Sequence, residues 1–282
     1  MTTYLTITEI IKKYNLSDKI VISDAEAWVN YPEYQFIYNK LWIAQSQFIN
    51  CAPMNVYPSK YPVFFKPIIN LIGMSRGVKK VNNKDEYDLY LKDGFFWEDF
   101  LDGDHYCIDL ILKNGKILFH SCLISIPDRD GSFQYHESLP TFKIPEHIKL
   151  WINNFMQNYT GCLNIEVIDG VIIEAHLRLN GDFHLYDVEF VKLLSRLYDN
   201  EDVTFIEYKI KKIYLIPIFV DKNYYVQDKN IYYKIFKKYN IKHIFFNEID
   251  SRYQSEYLSR LAIFSCSNLD NGMNAKKEIL KI

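Results

Sequence analysis

Asn164-Ile165-Glu166-Val167-Ile168-Asp169-Gly170-Val171-Ile172-Ile173-Glu174-Ala175-His176-Leu177-Arg178 is the stretch on which the reading of this 282-residue chain turns. Two apolar runs, Leu163 to Ile168 and Val171 to Leu177, flank Asp169-Gly170, a strong antiparallel-hairpin signal. Side chains alternate along a strand, so Glu174, His176 and Arg178 project from one face. Whether Glu166 shares that face depends on the turn. A three-residue loop with Gly170 in a bulge pairs Val167 with Val171 and puts Glu166 on the same face as Glu174; a two-residue turn puts it on the opposite face. Carboxylates in an apolar hairpin are costly unless they bind a cation or pair with one. A hard cation such as Mg2+, with nucleotide phosphates, meets that need. An internal ion pair of Glu174 with Arg178 is the competing reading.

Upstream, strands at Tyr106 to Leu112 and Ile117 to Ser125 are joined by Asn114-Gly115, a second hairpin signal. Before them, the apolar run Phe95 to Phe100 passes through Leu101-Asp102-Gly103-Asp104 into His105, as a hinge between two lobes would. Aromatic side chains there can flank a purine while backbone groups bond its edge; an ordinary hairpin with an acidic turn is the plainer alternative. Further upstream, the strand Pro62-Val63-Phe64-Phe65-Lys66-Pro67 delivers one lysine beside the loop Ile72-Gly73-Met74-Ser75-Arg76-Gly77-Val78. A lysine supplies a point charge and glycines let backbone N–H groups approach oxygens, so the pair suits phosphate. A short strand at Val78 to Val81 and a helix over Lys84 to Leu91, capped by Asn82 or Asn83, follow. Between Ser125 and Leu139 a polar cluster of Asp128, Arg129, His136 and Glu137 reads as a loop and as a candidate acceptor site.

The flanks differ in texture. Residues 1–60 read mainly helical, with an apolar stripe of Tyr34, Ile37, Tyr38, Leu41 and Trp42 at helical spacing. Ile144 to Tyr159 is a helix ending before Gly161. From residue 186 the chain changes: a helix at Tyr186 to Leu197 and an apolar strand at Ile213 to Val220 come first. A helix (Ile231 to Tyr239), strand (Ile241 to Phe246), helix (Gln254 to Ser259) and strand (Leu261 to Cys266) then alternate as a small C-terminal α/β unit. The expected division is 1–60, 61–185 and 186–282.

Composition narrows the function classes. A net charge of −2 provides no field for nucleic acid or an anionic membrane. No apolar run reaches the ~20 residues a membrane helix needs, and the first residues lack a signal-peptide pattern. The five cysteines are odd in number and unpaired in spacing, which implies reduced thiols in a cytoplasmic compartment. No G-x-S-x-G elbow or zinc-ligand spacing occurs. The 23 Tyr and 19 Phe against 10 Gly reflect the codon bias of an AT-rich genome.

In this order and spacing, the three segments resemble the ATP-grasp family, over roughly Tyr61 to Gly181. Lys66 to Gly77 and Ile173 to Arg178 are also similar to a bacterial and viral branch of it. The resemblance implies a two-lobed α+β fold with mixed or antiparallel sheets that binds ATP with Mg2+ or Mn2+. It implies that Lys66 contacts the phosphates and that the loop holding Gly73, Ser75 and Gly77 closes over them. Glu98 and Leu101 would lie in the adenine hinge, Glu166 and Glu174 would hold the metal, and Arg178 would steady phosphate or an acyl phosphate. His105 stands where the family offers a ribose-binding Glu, and His176 where it offers a metal-site Asn. Imidazole is a poorer partner for Mg2+ than an amide oxygen, so His176 favours Mn2+ or stays outside the metal's direct ligands. The second phosphate lysine is not fixed by the sequence, with Lys40 and Lys60 as the candidates.

The activity implied is that of an ATP-dependent ligase, activating a small-molecule or peptide carboxylate for attack by an amine or thiol. A kinase-like or low-turnover nucleotide-binding protein on the same fold is the second reading. An aromatic-rich interaction module without catalysis is the third.

Overall fold

The computed structural model describes residues 2–3, 7–72, 77–128, 132–180, 186–204, 206–221, 224, 228–241, 243–246 and 258–282, the first two in backbone only. In chain order the elements begin with β1 (Thr2–Thr3), α1 (Ile7–Tyr14), α2 (Asp24–Asn30), a 3-10 helix (Pro32–Tyr38), α3 (Lys40–Ser46) and β2 (Cys51–Pro53). Next come β3 (Val63–Pro67), β4 (Lys79–Val81), α4 (Lys84–Leu89) and β5 (Phe95–Asp99). The middle of the chain forms β6 (His105–Lys113), β7 (Lys116–Pro127), β8 (Phe133–Ser138), α5 (Glu146–Phe155), β9 (Gly161–Ile168) and β10 (Val171–His176). It ends with α6 (Val188–Tyr198), β11 (Tyr214–Asp221), α7 (Lys229–Lys238), β12 (His243–Phe246), β13 (Leu258–Cys266) and α8 (Leu269–Ile279).

These strands make two sheets, the two-lobed arrangement expected. One has four strands in the order β2-β5-β3-β4; the other has nine, in the order β1-β12-β13-β11-β8-β7-β6-β9-β10. All pairings are antiparallel except β1 with β12. Residues 100–104 carry the chain from one sheet to the other. The C-terminal strands share their sheet with the central ones, because β11 pairs with β8 at Tyr214↔Glu137 and Leu215↔His136.

Period-2 patterning decides what covers each face. Ile108, Leu110 and Leu112 point to the side packed by the 3-10 helix, α3 and α5, through Ile37, Ile43, Ile148, Trp151 and Ile152. The opposite side is graded. At one end α6 sets Phe190 and Leu194 over Ile111, Phe119 and Cys162. Toward the other end the same face turns polar: Asp109 and Ser121 stand opposite each other, then His105 opposite Ser125 and Ser125 opposite His136. The four-stranded sheet has its own small core of Val63, Phe65, Val81, Tyr87 and Trp97. Truncating a buried side chain in any of these cores costs about 2–5 kcal/mol.

Three local expectations change. The stripe Tyr34 to Trp42 is not one helix: Pro32 opens a 3-10 segment, and Asn39 breaks it by capping α3 with its side chain on the Trp42 amide, 2.9 Å. The Ser125 to Leu139 segment is mostly strand rather than loop. His136 and Ser138 alternate inward while Glu137 meets Lys212 at 2.9 Å, a strand's periodicity masked by polar residue types. Of the helix expected over Gln254 to Ser259, Leu258 and Ser259 lie in β13, where pairing with β11 overrides helix propensity, and 254–257 lie outside the described residues.

Candidate functional site

The register of the β9–β10 hairpin determines which side chains meet. Asp169 and Gly170 both have positive φ, 50° and 78°, as a two-residue type I′ turn requires. Ile168 pairs with Val171 and Val167 with Ile172; the register then slips by one, so Ile173 has no partner and Glu174 stands opposite Glu166. A two-residue turn by itself would leave the two carboxylates on opposite faces. The bulge returns them to the same one. Distant groups hold the bulge. The Gln47 side-chain amide bonds Ile172 in both directions, at 2.7 and 2.8 Å, and the Ile173 carbonyl accepts from Lys66 Nζ at 3.2 Å.

Lys66 therefore bridges the two sheets. On the four-stranded sheet, Lys66 of β3 and Glu98 of β5 share a face, and their ion pair is 2.6 Å long with both side chains 5% exposed. Burial pushes the Glu98 carboxyl upward, a shift the Lys66 ammonium only partly offsets. Phe96 packs its ring 5.6 Å from Lys66 Nζ.

On the nine-stranded sheet, Glu174 Oε1 accepts from Lys40 Nζ at 2.8 Å and lies 3.5 Å from His176 Nε2. Lys40 opens α3 and is buried, whereas Lys60 is exposed and paired with Asp99 at 3.1 Å. Glu166 Oε2 lies 3.1 Å from His105 Nε2. Burial opposes ionisation of Glu166, yet the His105 hydrogen bond and charge, with His176 and Lys40, hold its carboxyl below the usual range. One potential ligand atom each from Glu166, Glu174 and His176 falls within 4.8 Å of the others. Two carboxylates and an imidazole make a donor set that fits a divalent cation.

Arg178 does not pair with Glu174. Its Nε and Nη2 donate to Asp24 Oδ2 at 2.9 and 2.8 Å, and Asp24 Oδ1 accepts from His176 Nδ1 at 3.0 Å and from the Tyr38 hydroxyl at 3.3 Å. Burial disfavours the Asp24 charge, but His176 and then Arg178 outweigh it and keep the carboxyl far below its ordinary range. Asp24 was not singled out from sequence. Its only local signal is its place at the start of α2, where Ser23 caps the Glu26 amide and Glu26 returns to the Ile22 amide. Also unforeseen is Asp109, buried and accepting from Tyr186 OH, the Asn180 amide and Asn164 Nδ2 at 2.7, 2.8 and 2.9 Å. It alternates with His105 and Cys107 along β6, which is the signal that could have found it.

Of the remaining candidates, Leu101 lies in the 100–104 crossing between sheets and Gly77 has φ 73° beside the Phe95 ring. Gly73, Ser75 and Arg129 lie outside the described residues. His136 is buried and 2.8 Å from Ser125 Oγ, with Phe133 against its ring. Lys66, Glu98, Lys40, Glu166, Glu174, His176 and Arg178 thus gather from both sheets and from α3, with Asp24 of α2 beneath them, while His105 joins through Glu166.

No family model matches the chain, and no curated protein matches it in sequence. Its likeness to known proteins is structural. It is similar to N5-carboxyaminoimidazole synthetase from Staphylococcus aureus complexed with ADP: TM-score 0.62 and 11% identity, over 98% of this chain and 78% of that one. For L-amino acid ligase from Bacillus licheniformis the TM-score is 0.57 and the identity 14%, over 87% and 71%. N5-carboxyaminoimidazole ribonucleotide synthetase from Thermotoga maritima gives 0.54 and 13%, over 100% and 81%. These are ATP-grasp enzymes, and this chain has the ATP-grasp fold. Among its described residues no helix is long and apolar enough to cross a membrane.

Proposed function

We propose that the chain is an ATP-dependent ligase that activates a small-molecule or peptide carboxylate for attack by an amine or thiol. The observation that carries this reading is the convergence, at the seam between two sheets, of two buried lysines with the donor set of Glu166, Glu174 and His176. Lys66 and Lys40 are the phosphate contacts. The base sits against the hinge, with backbone groups near Leu101 at its edge and Glu98 keeping Lys66 in place. Glu166, Glu174 and His176 hold Mg2+ or Mn2+, which supplies neutralisation of phosphate charge when bound. Arg178 steadies the transferring group. Such positioned charges act mainly by favouring the transition state and excluding water. The likeness to an L-amino acid ligase supports a carboxylate and an amine as the substrate pair. The acceptor lies along the polar face of β7 and β8, near Ser125 and His136. Residues 61–185 form the nucleotide-binding lobes and 186–282 complete the acceptor side, in a cytoplasmic enzyme.

A low-turnover nucleotide-binding protein is the second reading, favoured by one observation. Lys66, Lys40 and Arg178 each already hold a protein carboxylate, so phosphates must compete with Glu98, Glu174 and Asp24. The test is ADP release measured against a panel of carboxylates and amines, beside thermal-shift titrations with ATP and either metal. Saturation near 100 Kd adds about 2.7 kcal/mol of stability. ATP stabilisation with acceptor-dependent ADP release supports the ligase; stabilisation without release supports the second reading; no stabilisation by any nucleotide removes both.

A further inference from the structure

We infer that Asp24 is a positioning residue that makes His176 a nitrogen ligand of the bound metal, so that the site prefers Mn2+ to Mg2+. This inference rests on the nucleotide–metal reading of the same site. The geometry begins with the Asp24 carboxylate, 4% exposed and fully engaged. Its Oδ2 takes two donors from Arg178, and its Oδ1 takes His176 Nδ1 and the Tyr38 hydroxyl. Tyr38 is fixed in turn, because its oxygen accepts from the Leu177 amide at 3.1 Å and its ring meets the His176 ring edge-on at 6.3 Å. The imidazole is therefore held on two sides by residues far upstream in the chain, Asp24 and Tyr38.

An acceptor at Nδ1 fixes the proton there in the neutral ring and leaves the Nε2 lone pair pointing outward. Nε2 lies 3.5 Å from Glu174 Oε1, with Glu166 close by. Two acceptors at that distance repel unless a proton or a cation lies beside them; the Lys40 ammonium, 2.8 Å from Glu174 Oε1, is one such cation, and a metal ion would add a second. A metal held at this point would meet one nitrogen and carboxylate oxygens, with a buried carboxylate behind the imidazole, an arrangement that orients the ring. Nitrogen donation is accepted more readily by a first-row transition-metal ion than by Mg2+, which favours oxygen and keeps its waters. Asp24 also holds Arg178, so a single side chain from α2 sets both the metal end and the phosphate end of the site.

The test uses the full chain labelled with 15N only in histidine, loaded with Mn2+ and a non-hydrolysable ATP analogue. Pulsed EPR then reports 15N coupling from a bound imidazole, separate from the 14N of the adenine. Wild type should show that coupling and bind Mn2+ at least ten-fold more tightly than Mg2+. His176→Asn should lose the coupling and most of the preference. Asp24→Ala should weaken Mn2+ binding by about 10–100-fold. Asp24→Asn, which retains an oxygen opposite Nδ1, should restore the coupling and part of the affinity, and it serves as the readout if Asp24→Ala does not fold. Mn2+ bound by wild type without 15N coupling, or Asp24→Ala with coupling and affinity unchanged, overturns the inference and leaves the nucleotide reading standing. Wild type that binds neither metal nor nucleotide overturns both.

Discussion

The hairpin closed by Asn114-Gly115 and the one closed by Asp169-Gly170 follow the same construction, yet only the second holds the candidate metal donors. Both turns have positive φ at both residues, 50° and 74° in the first, 50° and 78° in the second. In both, the register slips at the third residue after the turn, leaving Leu118 and Ile173 without partners. In both, a distant group takes the carbonyl of that extra residue. Leu118 O accepts from the Ile206 backbone amide at 3.4 Å, and Ile173 O from Lys66 Nζ at 3.2 Å. The first slip aligns Ser121 with Asp109 and Ser125 with His105; the second aligns Glu174 with Glu166. The difference lies in who reads the bulge. A backbone amide fixes a structural corner, whereas an ammonium from the other sheet ties the bulge to a buried charge pair.

The largest effect expected from that difference is at Lys66. Lys66→Ala leaves Glu98 buried and unpaired and should cost about 3–5 kcal/mol in urea unfolding. Lys66→Met combined with Glu98→Gln should recover most of that loss while still failing to gain stability from ATP. If Lys66→Ala costs less than about 1 kcal/mol, the charge pair is not what distinguishes the second hairpin.

The turns themselves should respond unequally. A Cβ on Gly115 would lie 2.6 Å from the Gln157 carbonyl, whereas the nearest atom to one on Gly170 is 3.7 Å away in the His147 ring. Both substitutions carry the left-handed backbone penalty of about 1–2 kcal/mol. Gly115→Ala adds a backbone clash of about 1–3 kcal/mol. Thermal unfolding of the two variants should differ by that amount, and equal losses would mean that Gln157 yields.

Deleting Ile173 separates register from anchoring. Without the extra residue, an unbulged two-residue hairpin still sets Glu174 opposite Glu166, but Lys66 loses its carbonyl. The expected outcome is Mn2+ affinity close to wild type and a stability loss of about 1.5–3 kcal/mol. Loss of Mn2+ binding in a folded deletion variant would show that the bulge shapes the donor set as well as the register.

The smallest effect is in acid. The Asp24 carboxyl, depressed by His176 and Arg178 against the opposing effect of burial, has a lower value folded than unfolded. Its stabilisation is complete above the unfolded value of about 3.9 and disappears as pH falls through the folded one. The stability gap between wild type and Asp24→Asn should be fully open above about pH 5 and narrow steadily below it. A gap that stays constant down to pH 2 would remove Asp24 as a paired anion.

Much of this was legible in the chain. Asn-Gly and Asp-Gly specify their turns locally, because positive φ is a property of the residues themselves. Alternation brought Glu174 and His176 to one face, and the ordered set of Lys66, the glycine loop, the crossing at 100–104 and the acidic hairpin resembled the fold the chain adopts. The register of Glu166 against Glu174 was not legible, since it depends on Gln47 and Lys66 taking the carbonyls of Ile172 and Ile173. Nor were the pairs Lys66 with Glu98, Lys40 with Glu174, and Asp24 with both His176 and Arg178. A turn is settled by the φ preferences of two adjacent residues. A buried charge takes its partner from whatever the packing of distant elements brings within about 3 Å, and only the folded chain decides that.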